Sequence, residues 1–227
     1  MTRASGTFAL LTVLVLLQAR GLAQEDYDED SKLNTNLAFT ITAPLNPTAQ
    51  FVNVGGGLVA GAGYNMTKRN AFIGEFMWNR LGASDGALAP IRAALGTHDV
   101  HGHGNLLALT ANYRYELRGK TTGVYFIGGG GWYHRTAEIS NHVATGSTLQ
   151  CTRTWEWWGF ECSSGTVISD QTLASSTSDV LGLNGGIGVT FKVAEPRYRF
   201  YIEARYHYAP TKNVRTELIP ITIGIRF

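Results

Sequence analysis

Three observations predict an all-β chain, an eight-stranded antiparallel up-and-down transmembrane β-barrel. Eight segments alternate apolar and polar residues. The connections between them are short and long by turns. Beyond the first residues, no uncharged apolar run approaches the ~20 residues of a membrane helix.

The N-terminus has a secretory pattern. Arg3 gives a positive start, Phe8 to Leu17 is a short apolar core, and Gly21-Leu22-Ala23 offers small residues to a signal peptidase. Residues 1–23 are therefore expected to be a signal peptide cleaved after Ala23. Residues 24–33 begin Gln24-Glu25-Asp26-Tyr27-Asp28-Glu29-Asp30 and should form an acidic periplasmic tail, too charged to bury itself. They lack the spacing and glycine of a Ca²⁺ loop. The barrel would occupy 34–227.

Composition narrows the class. A net charge of +2 argues against a nucleic-acid partner, which needs a concentrated basic face. Few charged residues (16%), 27 glycines and 11% aromatics suit either a membrane barrel or a soluble β-sandwich. Strand length and connections separate the two.

The expected strands are Asn34–Ala43, Val52–Tyr64, Ala71–Leu81, Asn105–Glu116, Gly123–Glu138, Asp179–Lys192, Tyr198–Tyr208 and Thr216–Phe227. Most are near the 9–11 residues that cross a bilayer at a tilt, and longer than the ~5–6 of soluble sheets. Links 65–70, 117–122 and 193–197 are short and polar, whereas 82–104 and 139–178 are long. Short periplasmic turns and long external loops follow, with both termini on the periplasmic side.

In the last segment Ile219, Ile221, Ile223, Ile225 and Phe227 oppose Thr222, Gly224 and Arg226. In the seventh, Phe200, Ile202, Ala204, Tyr206 and Tyr208 oppose Arg199, Tyr201, Glu203, Arg205 and His207. This alternation places lipid outside and a polar lumen inside. Tyr64, Phe72, Tyr115, Phe191, Phe200 and Phe227 fall near the turn ends, and Trp78, Trp132 and Tyr208 near the loop ends. Two such bands suit two membrane–water interfaces.

The final strand, Ile219-Pro220-Ile221-Thr222-Ile223-Gly224-Ile225-Arg226-Phe227, carries a family resemblance. The chain resembles the small eight-stranded outer-membrane barrels related to the OmpA transmembrane domain, OmpX and the opacity proteins, over essentially the whole mature chain. The resemblance implies residence in the bacterial outer membrane and a porin-like, OmpA-like architecture. It also implies that Ile225 and Phe227 are read by the barrel-assembly machinery. No peptidoglycan-binding domain is expected after the last strand.

Eight strands leave an interior that side chains can fill. Inward candidates are Glu75, Asn112, Arg114, Glu116, Asn184, Glu203, Arg205 and Arg226. Since an unpaired buried charge is costly, an ion-paired plug is expected, with Glu75 and Glu203 facing Arg114 and Arg205 and with Glu116 in the same network. A gated ion path through rearranging pairs is the functional alternative. Gly55 to Ala60 matches G-x-G-x-x-A with Glu75 about 20 residues on, as in a dinucleotide fingerprint. No helix can follow through Gly61, Gly63 and the 65–70 turn, so these glycines are read as strand glycines that make room for bulky neighbours.

Cys151 and Cys162 lie in the longest expected loop and, in an oxidising location, should form a disulfide. It would hold Trp155, Trp157, Trp158 and Phe160 as a stiff aromatic hairpin. Such rings either pack on the rim or recognise a surface ligand, glycan or protein. His98, His101 and His103 in the other long loop are weak metal candidates, because a structural site normally needs four fixed ligands. Neither a metal nor any other cofactor is expected. Residues 87–95 have the makings of a short helix despite Pro90. His134, Glu138, Ser140 and His142 are the nearest approach to a lipid A deacylase set, but the His-x-Ser-Asn order is absent and no nucleophile–base pair is supported. The Asn65-Met66-Thr67 sequon falls in a periplasmic turn and is incidental. The expectation is a non-enzymatic surface barrel for adhesion, recognition or envelope integrity. A narrow pore for ions or small solutes is the alternative, and a lipid A-modifying enzyme the next.

Overall fold

The computed structural model describes residues 32–119, 121–155, 159–192, 198–210 and 215–227, without the side chains of 142–170. The expected signal peptide lies outside these residues, as does the acidic tail up to Ser31.

Eight strands follow one another: β1 (Leu33–Pro44), β2 (Gly55–Asn65), β3 (Asn70–Gly82), β4 (Val100–Arg118), β5 (Thr122–Trp155), β6 (Gly159–Lys192), β7 (Arg199–Ala209) and β8 (Thr216–Arg226). Each pairs antiparallel with its neighbours in sequence order, and β8 pairs with β1 to close the barrel. The closing ladder runs from Asn36 opposite Arg226 to Pro44 opposite Leu218. On the other side of β8 the ladder passes from Ala204–Ile221 directly to His207–Leu218. The break falls at Pro220, which has no N–H to offer β7.

Closure leaves no open sheet edge in the barrel wall, as hydrocarbon requires. Side chains alternate between a buried lumen face and an outward face along every crossing strand. On β1, Asn34, Asn36, Thr40 and Thr42 point in and Leu37, Phe39 and Ile41 point out. On β7, Tyr201, Glu203, Arg205 and His207 point in and Phe200, Ile202 and Tyr206 point out.

Two expectations about length are corrected. β4 begins at Val100, five residues before Asn105. The long connection expected over 139–178 is instead a continuous β-ribbon, in which β5 and β6 stay paired out to Trp155 opposite Gly159, with register shifts near Ile139, Ala144 and Arg153. Val143, Thr145, Thr148, Thr152, Thr154, Thr166, Val167 and Ile168 favour extended backbone without an apolar alternation. A search for apolar period two therefore passes over them. Smaller shifts occur elsewhere: Val52 stands ahead of β2, bridged to Ala83, and β1 takes in Leu33 from the expected tail.

At the same end, Thr48–Gln50 forms a 3-10 turn and Asp85–Leu95 a helix, α1. The Ser84 hydroxyl caps α1 by accepting from the Ala87 N–H (3.2 Å), and Gly96 ends it at φ 64°, a left-handed conformation that glycine adopts without a Cβ penalty. Pro90 removes only one internal hydrogen bond, and buried Leu88 holds the helix down.

Glycines make room inside. Gly188 stands opposite Tyr125 across β5–β6, and Gly224 opposite Tyr201 across β7–β8. A Cβ at Gly188 would land on the Tyr125 ring, one at Gly224 would come within 2.8 Å of the Tyr201 ring, and one at Gly182 within 2.8 Å of the Tyr133 ring. Each of these lumen tyrosines thus lies over a glycine of the next strand, so a large ring fits a narrow bore. Gly188→Val should cost about 1–3 kcal/mol by overpacking. Combined with Tyr125→Ala it should cost less than the sum of the two single changes. Urea unfolding from phospholipid vesicles measures all three, and strict additivity would mean that the ring and the glycine do not share this space.

Candidate functional site

The lumen is organised around Arg205. Its Nη1 lies 2.5 Å from Glu75 Oε2 and its Nη2 2.5 Å from Glu203 Oε1, so β7 and β3 are clamped across the bore. Arg205 Nε also donates to Glu203 (2.8 Å). The remaining carboxylate lone pairs are served by neutral donors. Tyr125 donates to Glu203 (2.9 Å), and Asn36 (3.1 Å) and Asn112 (2.7 Å) donate to Glu75. Asn184 in turn donates to Asn112 (2.9 Å). All eight inward candidates named from the sequence are buried.

A second cluster sits nearer the short turns. Glu116 is surrounded by Arg118 (3.5 Å), Arg226 (3.5 Å), Arg114 (3.7 Å) and Arg199 (4.0 Å), and it accepts from Thr190 (3.1 Å). Arg226 places its guanidinium 4.9 Å from the Tyr125 ring centre and 5.1 Å from that of Tyr201, joining the two clusters through ring faces. The expected partnership of Arg114 with Glu75 or Glu203 is corrected. Arg114 and Glu116 are two residues apart on the same face of β4, and Arg114 reaches that carboxylate and Asn65 (3.4 Å). Sequence reasoning placed Tyr201 and His207 on the inward face without giving them a role, and it missed Tyr125, Tyr133 and Asn36 as members of this interior. Parity was the available signal: each lies an even number of residues from a glycine or polar residue of its own strand that faces the lumen.

Higher in the bore Tyr133 Oη lies 2.8 Å from His207 Nδ1, and Thr42 donates to Asn79 (2.9 Å). The rim loops are tied together above. Thr48 donates to the Arg215 carbonyl and accepts from the Glu217 N–H, both at 2.9 Å, while Ser84 donates to the Gln50 carbonyl (2.5 Å). The β1–β2, β3–β4 and β7–β8 connections therefore form one collar around the mouth.

The family model for the outer membrane protein beta-barrel domain matches residues 8–227. The chain belongs to that family. The barrel accordingly resides in the outer membrane, and its outward apolar face is its lipid face. Among solved structures it is similar to a major outer membrane protein of Thermus thermophilus, at 9% identity over 87% of this chain and 99% of that chain, with a TM-score of 0.51. It is also similar to Ail, the attachment invasion locus protein of Yersinia pestis, at 16% identity over 86% and 97% of the two chains, TM-score 0.47. A third is neisserial surface protein A, at 13% identity over 86% and 96%, TM-score 0.47. At these identities the likeness concerns the fold. A search of curated protein sequences gives no match.

In this outer-membrane barrel Phe227 is on the lipid face, edge-on to Tyr198 with ring centres 5.4 Å apart, and Ile225 lies on the same side of β8. His101 and His103 stand two residues apart on β4, and His98 lies in the turn before it. Among the described residues no group of three or more His, Cys, Asp or Glu could hold a metal ion. His134 and Glu138 face outward on β5. His134 pairs with Asp179 (2.8 Å), Glu138 accepts from Thr172 (2.8 Å), and Ser140 belongs to the ribbon rather than to a loop. His142 is described in backbone only.

Past the barrel wall, β5 and β6 continue as a paired ribbon. β5 last pairs with β4 at Asn141, and β6 first pairs with β7 at Leu183. Between Asn141 and Trp155, β6 is the sole partner strand of β5 among the described residues, a reach of roughly 45 Å at ~3.3 Å per residue. Cys151 is directly opposite Cys162, and Phe160 is opposite Arg153. Trp157 and Trp158 lie outside the described residues, as do the side chains of Trp155, Phe160 and both cysteines.

Arg205→Leu would strand two buried carboxylates and should cost about 3–5 kcal/mol. Glu75→Gln, Arg205→Met and Glu203→Gln together should restore most of that loss. The readout is urea unfolding, with heat-modifiable gel mobility confirming a folded barrel. Equal losses in both variants would show that charge pairing is not what Arg205 contributes.

Proposed function

We propose that the chain is a non-enzymatic surface protein whose side-chain-filled barrel anchors a projecting β-ribbon that recognises a glycan or protein on a neighbouring surface. The observation that carries this reading is the continuation of β5–β6 pairing far beyond the last contact with β4. Folding into a barrel needs no such extension. Its tip sequence, Trp155-Glu156-Trp157-Trp158-Gly159-Phe160, concentrates rings that stack on sugar faces or fill protein pockets. The opposition of Cys151 and Cys162 in register supports a disulfide that stiffens the tip in an oxidising environment. The paired charges and the packed tyrosines of the lumen support a plug rather than a channel.

The first test replaces 142–170 with an Asn-Gly turn, which suits a two-residue hairpin between Asn141 and Gln171. The shortened barrel should fold, by heat-modifiable mobility, and proteoliposomes carrying it should lose at least tenfold of their retention on immobilised surface glycans and cultured cells. Trp157→Ala and Trp158→Ala should each weaken retention. Equal retention without the ribbon would remove it as the recognition element.

Two further outcomes are expected. Cys151 and Cys162 should resist maleimide labelling until a reductant is added, and immediate labelling would mean free thiols. In planar bilayers the folded protein should be silent. A steady, charge-selective current would make transport the leading reading.

A further inference from the structure

A cavity of about 760 Å³ opens inside the collar at the ribbon end of the barrel. Phe51, Val52, Leu81, Leu106, Val180 and Leu218 form much of its wall, with Ala87 of α1 at its upper side. That volume lies in the range of small-molecule sites, where apolar walls combine with a few placed polar groups. One of its polar groups is a guanidinium. Arg135 lines the cavity, its Nη1 donates to Thr216 (2.5 Å), and its Nε is shut off from solvent without a hydrogen-bond acceptor.

The other lumen guanidiniums differ from it. Arg205 has two carboxylates, and Arg114, Arg118, Arg199 and Arg226 share Glu116. Arg135 has no carboxylate partner among the described residues. Two acids also line the cavity, Asp179 in contact with His134 and Glu138 accepting from Thr172, and neither pairs with Arg135. Arg135 is half-buried, with its Nε closed off from solvent, and a planar carboxylate is the group its fork best accepts. We propose that the mouth cavity is a binding site for a small amphipathic carboxylate, with the acid on Arg135 and the hydrocarbon against Phe51, Leu81, Leu106 and Leu218. The base of the ribbon contributes Val180 to the wall, but the proposal does not rest on recognition by the ribbon tip and does not require the lumen to conduct.

The test is calorimetric titration of octanoate into the full barrel in lipid nanodiscs, with empty nanodiscs subtracted to remove partitioning into lipid. Octan-1-ol and acetate serve as comparators that lack the charge and the chain. Octanoate should bind with one site per barrel, and each comparator at least tenfold more weakly. Arg135→Gln should weaken octanoate at least tenfold. Ala87→Trp fills the cavity from a helix outside the membrane and should abolish binding while leaving the barrel intact by gel mobility, which covers the case in which Arg135→Gln fails to fold. Heat equal to that of empty nanodiscs would overturn the proposal, as would octanoate affinity unchanged in the Ala87→Trp variant. Acetate binding as tightly as octanoate would overturn the amphipathic class, because the wall would then contribute nothing.

Discussion

The width of an eight-stranded bore is the constraint on which the rest of the structure depends. A cylinder this narrow has room for side chains and little else, so its polar face must be completed by the chain itself. Charge is tolerated inside only where it is shared. Arg205 meets this demand by taking one carboxylate from β3 and another from its own strand, while neutral amides and a phenol occupy the lone pairs that remain. The same narrowness selects glycine opposite large rings. Tyr125 and Tyr201 can be in the lumen because Gly188 and Gly224 give up their side-chain volume to them.

The interior is electrically graded as a result. The middle holds two carboxylates around one guanidinium, and the turn end holds four guanidiniums around Glu116. Arg226 lies between them on two ring faces, where aromatic quadrupoles take part of the role of a second anion. The mouth differs again, mixing aliphatic side chains with hydroxyls, two acids and a guanidinium bonded to a hydroxyl. A short barrel thereby presents three chemically distinct zones along one axis.

Much of the barrel was legible because period two is a strong signal when one face meets lipid. The faces of β7 and β8 could be read residue by residue, and the inward polar set emerged from the same parity. Pairing inside the lumen was less legible, since it depends on register and on which strands meet across the bore. Arg114 illustrates this: its partner was two residues away on its own strand, not across the lumen. The ribbon escaped because outside the membrane no apolar face is needed. Its strands are held by backbone pairing and β-branched propensity, which leave no alternation to detect. The mouth cavity was likewise invisible, because it is built from residues that lie far apart along the chain, from Thr48 to Leu218.

Since the outer part of the ribbon pairs, among the described residues, only with itself, its length is uncoupled from barrel architecture. Inserting two residues in each arm advances the tip by about 7 Å and preserves which side chains share a face. None of the eight crossing registers has to change, and the lumen clamp is untouched. Reach and tip sequence can therefore drift under selection from the outside world, while the transmembrane part answers to a separate set of demands from lipid and from its own crowded interior.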